Sequence, residues 1–471
     1  MSTAEHELLL VRAREARERL GDGLHDRVTE SLYSEAQRIA ARVVSSAGKP
    51  DLLSRRLDKL LTSRLTGFPM MFLLFVGVFW MTIAGSNIPS SLLGSLLTDS
   101  LYHLLHSGAD RIGAPWWLSG LLIDGVYLAI AWVFSVMLPP MAIFFPLFTL
   151  LEDFGYLPRV AFNLDRLFKG VGAHGKQSLT MMMGYGCNAA GVVSTRIIDS
   201  PRERLIAIIT NNFSICNGRW PLLILMGTIF LGAAAPPSLA SLIAAGSVVG
   251  VSLLGVAFAM GVSLFLSRTW LKGEASAFSL ELPPYRPPRL LQTLYTSLID
   301  RTLIVLKRAM IMAAPAGAVI WLIGNVHVGT DSIAAHMARG LDPLGLSVGL
   351  NGVILLAYIV AIPANEIVIP TVMMLTLTLA GSSLGSAGVM SEFGEAQTRE
   401  ILTGLGGWTV LTGLNLMLFS LLHNPCSTTL LTIWRETGSL KWTAVSALLP
   451  VALGFAVCFL TASVARLLGW A

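Results

Sequence analysis

The sequence predicts an all-α polytopic membrane protein made of two inverted repeats, each with a broken re-entrant hairpin. Three observations predict this class: scarce charge, long apolar runs, and basic residues gathered between particular runs. Of 471 residues, 54% are hydrophobic and only 13% charged, and mean hydropathy is +0.68. A soluble domain carries about 25% charged residues, so half that share leaves most of the surface facing something other than water. The apolar runs are long and rich in Gly and Met, which favours spanning helices over the alternating strands of an outer-membrane barrel. Twelve of the 33 Lys and Arg precede residue 65, an asymmetry that speaks of membrane orientation and not of nucleic acid.

Residues 1–66 are polar, with helical spacing of Leu8 and Val11, then Leu32, Ile39 and Val43, and a helix-breaking Gly21-Asp22-Gly23 between the two runs. They form a cytoplasmic helical segment. The run Leu8 to Val11 is too short for a cleavable signal core and is followed by Arg12, Arg14, Arg17 and Arg19. Apolar segments follow near 68–86, 118–149, 178–195, 205–232, 239–266, 304–327, 350–380, 408–433 and 443–468. Loops 1–67, 150–177, 196–204, 267–303 and 434–442 hold nearly all the Lys and Arg and are assigned to the cytoplasm. Loops 87–117, 328–349 and 381–407 hold one each (Arg111, Arg339, Arg399) and are assigned outside.

Segment 178–195 has basic flanks on both sides, and 350–380 has flanks poor in basic residues. Each therefore enters and leaves on one side, from the inside and the outside respectively. Both are interrupted, by Gly184-Tyr185-Gly186-Cys187-Asn188 and by Ile362-Pro363-Ala364-Asn365-Glu366, and backbone freed at membrane depth is tolerated only against protein or a water-filled cavity. Each hairpin precedes a second broken segment, at Ser214 to Pro221 and at His423 to Ser427. One plan thus runs twice, over roughly 118–266 and 290–468. Inverted repeats with paired discontinuous helices point to a secondary transporter with a midplane site. The domain plan is a cytoplasmic helical segment (1–66), a first transmembrane helix with an external loop (67–117), a first repeat (118–270), a cytoplasmic connector with a lead-in helix (271–303) and a second repeat (304–471).

The breaks would bring together Cys187, Cys216 and Cys426, the carboxylate Glu366, and the amides Asn188, Asn211, Asn212, Asn217, Asn365 and Asn424. A carboxylate inside an apolar stretch is costly and usually marks a substrate path. Thiolate, carboxylate and amide oxygen together suit a borderline divalent ion such as Fe(II), Zn(II) or Mn(II), not a hard all-oxygen calcium site. The candidate metal residues are therefore Cys187, Cys216, Cys426, Glu366, Asn188, Asn217, Asn365 and Asn424. A membrane Cys often only packs, the reading that fits Cys458, and an Asn at a break can simply cap a half-helix. Four cysteines in or beside apolar segments fit no disulfide framework. The eighteen Met residues show no repeated pairing along the chain and read as lipid-facing or gap-filling. His103, His106, His327 and His336 fall in external loops and are expected in water. Gly170 to Gln177 imitates a phosphate-binding loop, but Gln177 stands where Ser or Thr would reach magnesium and no strand precedes it, so it reads as a turn. No stretch offers nucleotide-binding or catalytic chemistry, and the chain reads as a transporter and not an enzyme.

At these motifs, from about residue 30 to 465, the chain resembles the membrane domain of the ferrous iron transporter B (FeoB) family. The resemblance rests on Leu57 to Arg64, Leu151 to Arg159, Gly184 to Asn188, Asp199 to Leu205, Glu281 to Tyr285, Pro363 to Val368, Asn424-Pro425-Cys426 and Arg435 to Ser439. It implies two so-called Gate regions and Fe(II) import across the bacterial cytoplasmic membrane. Cys187 and Cys216 would belong to the first Gate and Cys426 to the second. The usual G-C-N-V-P stands here as Gly186-Cys187-Asn188-Ala189-Ala190, and the usual S-C-G-A-R as Ile215-Cys216-Asn217-Gly218-Arg219. Family members usually begin with a GTPase domain. Here the roughly 66 residues before the first span contain no such domain, so this chain is expected to bind no nucleotide. The implied partners are the divalent ion, the lipid bilayer and a separate soluble GTPase, with a homo-oligomer compatible and nucleic acid not. Two other functions compete: a nucleoside or other small organic-solute transporter, and a membrane scaffold for a separate GTPase.

Overall fold

The computed structural model describes residues 12, 24–43, 52–236, 238–273, 290–380 and 395–469. The expected helical spacing before residue 24 and the block Glu281 to Tyr285 lie outside the described residues. Among the described residues the regular structure is helical apart from one two-stranded hairpin, in which His327 pairs with Ser332 and Val328 with Asp331. Among the described residues six helices are long and apolar enough to cross a membrane, and a pair bent by 111°, Ile333–Ser347 with Gly352–Val360, counts as a seventh if taken as one span.

In order, α1 is Leu24–Val43, α2 Leu52–Thr62 and α3 Arg64–Gly94. The expected external loop at 87–117 is instead helical as far as Ile112, through a π-turn at Ser95–Leu101 and α4 at Tyr102–Ile112. Leu92, Leu93, Leu96, Leu97 and Leu101 are strong helix formers, and lack of basic residues says nothing against helix. His106, expected in water, therefore sits on a helix with Nε2 2.7 Å from Asp124, which also accepts from the Tyr102 hydroxyl at 2.8 Å.

The first half continues with a helical run from Trp116 into α5, Leu128–Asp153, then α6, Tyr156–Gly170. Gly155 between them has φ +83, a conformation that only glycine adopts at low cost, and it turns the chain from the span into the amphipathic α6. Next come α7 (Gln177–Gly186) and α8 (Asn188–Ser194), two antiparallel arms packed together, which bear out a broken hairpin over 178–195. Ser200 caps α9 (Pro201–Thr210), with Pro201 at its first position. A break then leads to α10 (Trp220–Met226) and the closing α11 (Ala240–Arg268). The second half repeats this order: α12 (Ile304–Asn325), α13 (Ile333–Ser347), the hairpin arms α14 (Gly352–Val360) and α15 (Val368–Leu379), the broken pair α16 (Val410–Leu422) and α17 (Ser427–Thr437), and the closing α18 (Leu440–Leu467).

The turn that imitates a phosphate loop is tied down by its own side chains. Lys176 donates to the Ile197 carbonyl at 2.9 Å and to Asp199 at 3.1 Å, while Gln177 is buried and donates to Thr210 at 2.7 Å and Ser263 at 3.1 Å. The hydrogen bond and charge of Lys176 hold the Asp199 carboxyl below the usual range, and burial pushes the His174 imidazole down.

Two sequence blocks that seemed unrelated meet at the base of the membrane part. Arg159 of α6 is fully buried and its Nε donates to Asp58 of α2 at 3.0 Å, while Asn163 donates to the Leu61 carbonyl at 2.7 Å. This pins α2 to α6. Removing Asp58 takes the carboxylate from a buried charge, which costs about 3–5 kcal/mol in full burial and less here, since a third of Asp58 is exposed and Arg159 keeps the Gly155 carbonyl. Asp58→Ala is therefore expected to lower stability by on the order of 2 kcal/mol, read as a drop in the thermal unfolding midpoint of the detergent-solubilised protein.

Candidate functional site

The site is built where helices stop. Between α7 and α8 a single residue, Cys187, is extended (φ −155, ψ 122), so the hairpin turns on the thiol itself. In the second hairpin the tip is longer, running from Ala361 through the 3₁₀ turn Asn365–Ile367 that carries Glu366. The broken pairs supply the rest: Cys216, Asn217 and Gly218 lie between α9 and α10, and Cys426 immediately precedes α17.

Each tip is bonded to the break that follows it in sequence. In the first half the Asn217 N–H donates to the Gly186 carbonyl at 3.2 Å. In the second the Ser427 N–H donates to the Ile362 carbonyl at 2.9 Å and its hydroxyl to the Pro363 carbonyl at 3.2 Å. Between the halves the most extensive bonding is made by Arg219. Its side chain is buried and donates to the carbonyls of Asn212 (3.1 Å), Leu421 (3.2 Å), His423 (3.1 Å) and Asn424 (3.1 Å), and to the Asn212 side-chain oxygen at 3.3 Å. One guanidinium thereby satisfies carbonyls freed at both breaks, which water cannot reach.

These elements enclose a cavity of about 40 Å³ whose wall includes Cys187, Asn188, Cys216, Asn217, Asn365, Glu366 and Cys426. Seven of the eight predicted residues thus share one cavity. Asn424 does not reach it; its carbonyl accepts from Arg219 instead. Asn211 and Asn212 also serve the backbone, donating to the carbonyls of Asn188 at 2.9 Å and His423 at 2.8 Å. The Asn188 amide nitrogen is placed to donate to Gly184 and Ser214 carbonyls at 3.0 and 3.2 Å. Cys426 lies 3.3 Å from the Thr429 hydroxyl. Each thiol is within electrostatic reach of another, and Cys216 and Cys426 are within reach of Glu366 and Arg219. The donors line a wall without closing on a point: among the described residues no three Cys, His, Asp or Glu side chains stand close enough to hold a metal ion as placed. Cys458 is buried in α18 with its thiol on the Asn415 carbonyl, as expected for packing.

Four contributing residues escaped the sequence. Met137 and Met141 of α5, read as gap-filling, line the cavity one helical turn apart and add two thioethers. A single M-x-x-x-M pair is no signal until its face is known. Gly218 matters because the Glu366 carboxylate occupies the place a side chain would take, so any larger residue would displace it. Trp132 of α5 donates to the Glu366 carbonyl at 3.4 Å, holding the second tip against the first half.

The two ends of the site differ. On the side of the basic loops, α8 and α17, which start at Cys187 and Cys426, pack along each other. They end at a two-pronged ion pair, Arg196 Nε and Nη2 to the Glu436 carboxylate at 2.9 and 2.6 Å, with Val192, Ile208 and Ile433 buried together. On the opposite side the matching helices α10 and α15 face each other across a second cavity of about 490 Å³. Since Lys offers its donors at one point, Arg219→Lys is expected to leave several of these carbonyls unmet and to cost about 2–3 kcal/mol, seen as a lower unfolding midpoint with membrane insertion retained.

Comparison with known proteins agrees with this geometry. The chain matches the Gate family, described as nucleoside recognition, over residues 134–230 and 306–440, and the family described as ferrous iron transport protein B C terminus over 248–300. It is 28% identical to the Fe(2+) transporter FeoB of Staphylococcus aureus strain MSSA476 over 86% of this chain and 58% of that protein. Identity to the Fe(2+) transporter FeoB of Synechocystis is 29% over 89% of this chain and 64% of that protein, and to that of Campylobacter jejuni 23% over 93% and 70%. The chain thus spans about three-fifths of the length of the first of these relatives. No solved structure matches it. The Gate match takes in the chain breaks that line the thiol-lined cavity, and with the C-terminal match and these relatives the chain's likeness is to the membrane part of the ferrous iron transport protein B (FeoB) family.

Proposed function

We propose that the protein imports a divalent metal ion, Fe(II), across the bacterial cytoplasmic membrane by alternating access, with the N-terminus on the cytoplasmic side. The observation that carries this reading is the chemistry of the cavity of about 40 Å³, which three thiols, one carboxylate and several amides line from four chain breaks. Sulfur beside carboxylate suits a borderline ion, and relatives are named Fe(2+) transporters. In this reading Cys187, Cys216 and Cys426 are the soft ligands, Glu366 balances charge, and Asn188, Asn217 and Asn365 supply amide oxygen. Asn424 acts through Arg219. The donors draw in from the wall when the ion arrives, and metal binding releases the thiol protons. The cavity is too small for a base and a ribose, which disfavours a nucleoside as the thiol-bound substrate.

The basic loops put α8 and α17 at the cytoplasmic end. The repeated element order supports two halves of opposite orientation around the site. A divalent cation moving inward gains roughly 4–5 kcal/mol at about 100 mV, inside negative, so the potential can drive import. A separate GTPase and a homo-oligomer remain compatible with this scheme. Release inward then requires α8 and α17 to part. The Arg196–Glu436 pair is a suitable latch because it joins the halves yet is weak, Arg196 being largely exposed and its charge screened by water.

Cys216→Ser and Glu366→Gln are each expected to abolish Fe(II) uptake into proteoliposomes with an inside-negative potential, while the protein stays in the membrane and folded. Wild-type uptake in both would overturn the assignment. For the latch, Arg196→Glu is expected to raise labelling of Cys426 by an impermeant maleimide at the cytoplasmic face several-fold, and adding Glu436→Arg to restore protection.

A further inference from the structure

The larger cavity adjoins the smaller one, and part of its polar wall comes from a helix outside the matched Gate region. Asn217, Gly218, Asn365 and Glu366 line both cavities, so the two are divided by one thin partition that carries the carboxylate. Across the larger cavity from Glu366, α3 contributes Ser86, Asn87 and Ser90. These polar residues interrupt a helix of otherwise high hydropathy, and Thr82, Ser86 and Ser90 recur every fourth residue, so they form one stripe. Thr82 and Ser86 are only 2% and 5% exposed. A polar stripe turned inward on a lipid-spanning helix usually marks a water-filled path.

The volumes separate the roles. A cavity needs about 10–15 Å³ for each water it holds. The inner cavity of about 40 Å³ takes about three or four such groups, so a divalent ion with its six waters does not fit. The outer cavity of about 490 Å³ takes the hydrated ion with room to spare. Hydroxyls and an amide suit water-mediated contact, whereas thiols suit direct coordination.

We propose that Ser86, Asn87 and Ser90, facing Glu366, Asn217 and Asn365, form an entry site for a hydrated divalent cation, and that the ion sheds its waters at Glu366 as it crosses into the thiol-lined cavity. This rests on the metal-import reading above. It makes dehydration a point of selection. Mg(II) gives up its waters reluctantly, so it occupies the entry site, competes there, and does not pass.

The test uses the full chain in proteoliposomes, comparing wild type with the triple variant Ser86→Ala/Asn87→Leu/Ser90→Ala. The half-saturating Fe(II) concentration for uptake is expected to rise at least several-fold, and millimolar Mg(II), inhibitory in the wild type, to lose most of its effect. Thermal stabilisation by Fe(II), which reports the inner cavity at equilibrium, is expected to remain. Unchanged half-saturation and unchanged Mg(II) inhibition would overturn the entry site while leaving the import reading intact. Loss of that reading would show instead as wild-type uptake in Cys216→Ser and Glu366→Gln. If the triple variant fails to insert, Ile224→Trp decides, since it fills the outer cavity without touching the stripe. It is expected to slow uptake several-fold, and uptake at the wild-type rate would overturn the proposal.

Discussion

Backbone that leaves a helix inside a bilayer finds no water, and its carbonyls must be met by the protein itself. Arg219 meets that demand for both halves at once, with one side chain on carbonyls of the first break and of the second. The site depends on this. Without this shared donor, carbonyls at both breaks would lose a partner and the two breaks would be held in register by fewer bonds, among them that of Asn212 to the His423 carbonyl. The hairpin tips are then fastened to the breaks by Asn217 to Gly186 in the first half and Ser427 to Ile362 and Pro363 in the second, so the chemical groups at four chain ends fall around one small volume. The same economy explains why the asparagines divide into two kinds. Asn211, Asn212 and Asn424 serve the scaffold, and Asn188, Asn217 and Asn365 face the cavity.

Helix ends also place the functional asymmetry. The arms α8 and α17 begin at Cys187 and Cys426 and finish at Arg196 and Glu436, so any motion that separates the ion pair is transmitted along short rigid segments to two thiols. Their counterparts α10 and α15 stand apart across a wide cavity. A small apolar cluster and one exposed ion pair close one end, while the other is open. That is the imbalance an alternating-access cycle needs, because a closure of modest strength can be exchanged for another at little net free energy.

Much of this was legible in the residues. Gly, Pro and Asn inside apolar runs marked each break, since backbone there cannot continue a helix, and both broken hairpins formed where those signals stand. Charge excluded a soluble protein, and a carboxylate in an apolar stretch singled out Glu366. Less legible was anything set by which face of a helix looks inward. Met137 and Met141 resembled every other membrane methionine, and the run to Ile112 looked like a loop because the apolar segment reads as ending near residue 86. Gly218 carried no sign of its role, which is to be absent where a carboxylate must sit.

The sequence by itself determined that the chain enters a bilayer, where its helices break, and which residue types the breaks carry, because hydropathy and backbone chemistry are local properties of the residues. Only the tertiary structure decided that a tip and a break more than two hundred residues apart share a cavity, that Arg219 ties the two breaks together, and that one end is shut while the other is open. Those outcomes depend on packing between distant helices, and no local property of the chain encodes a distance between them.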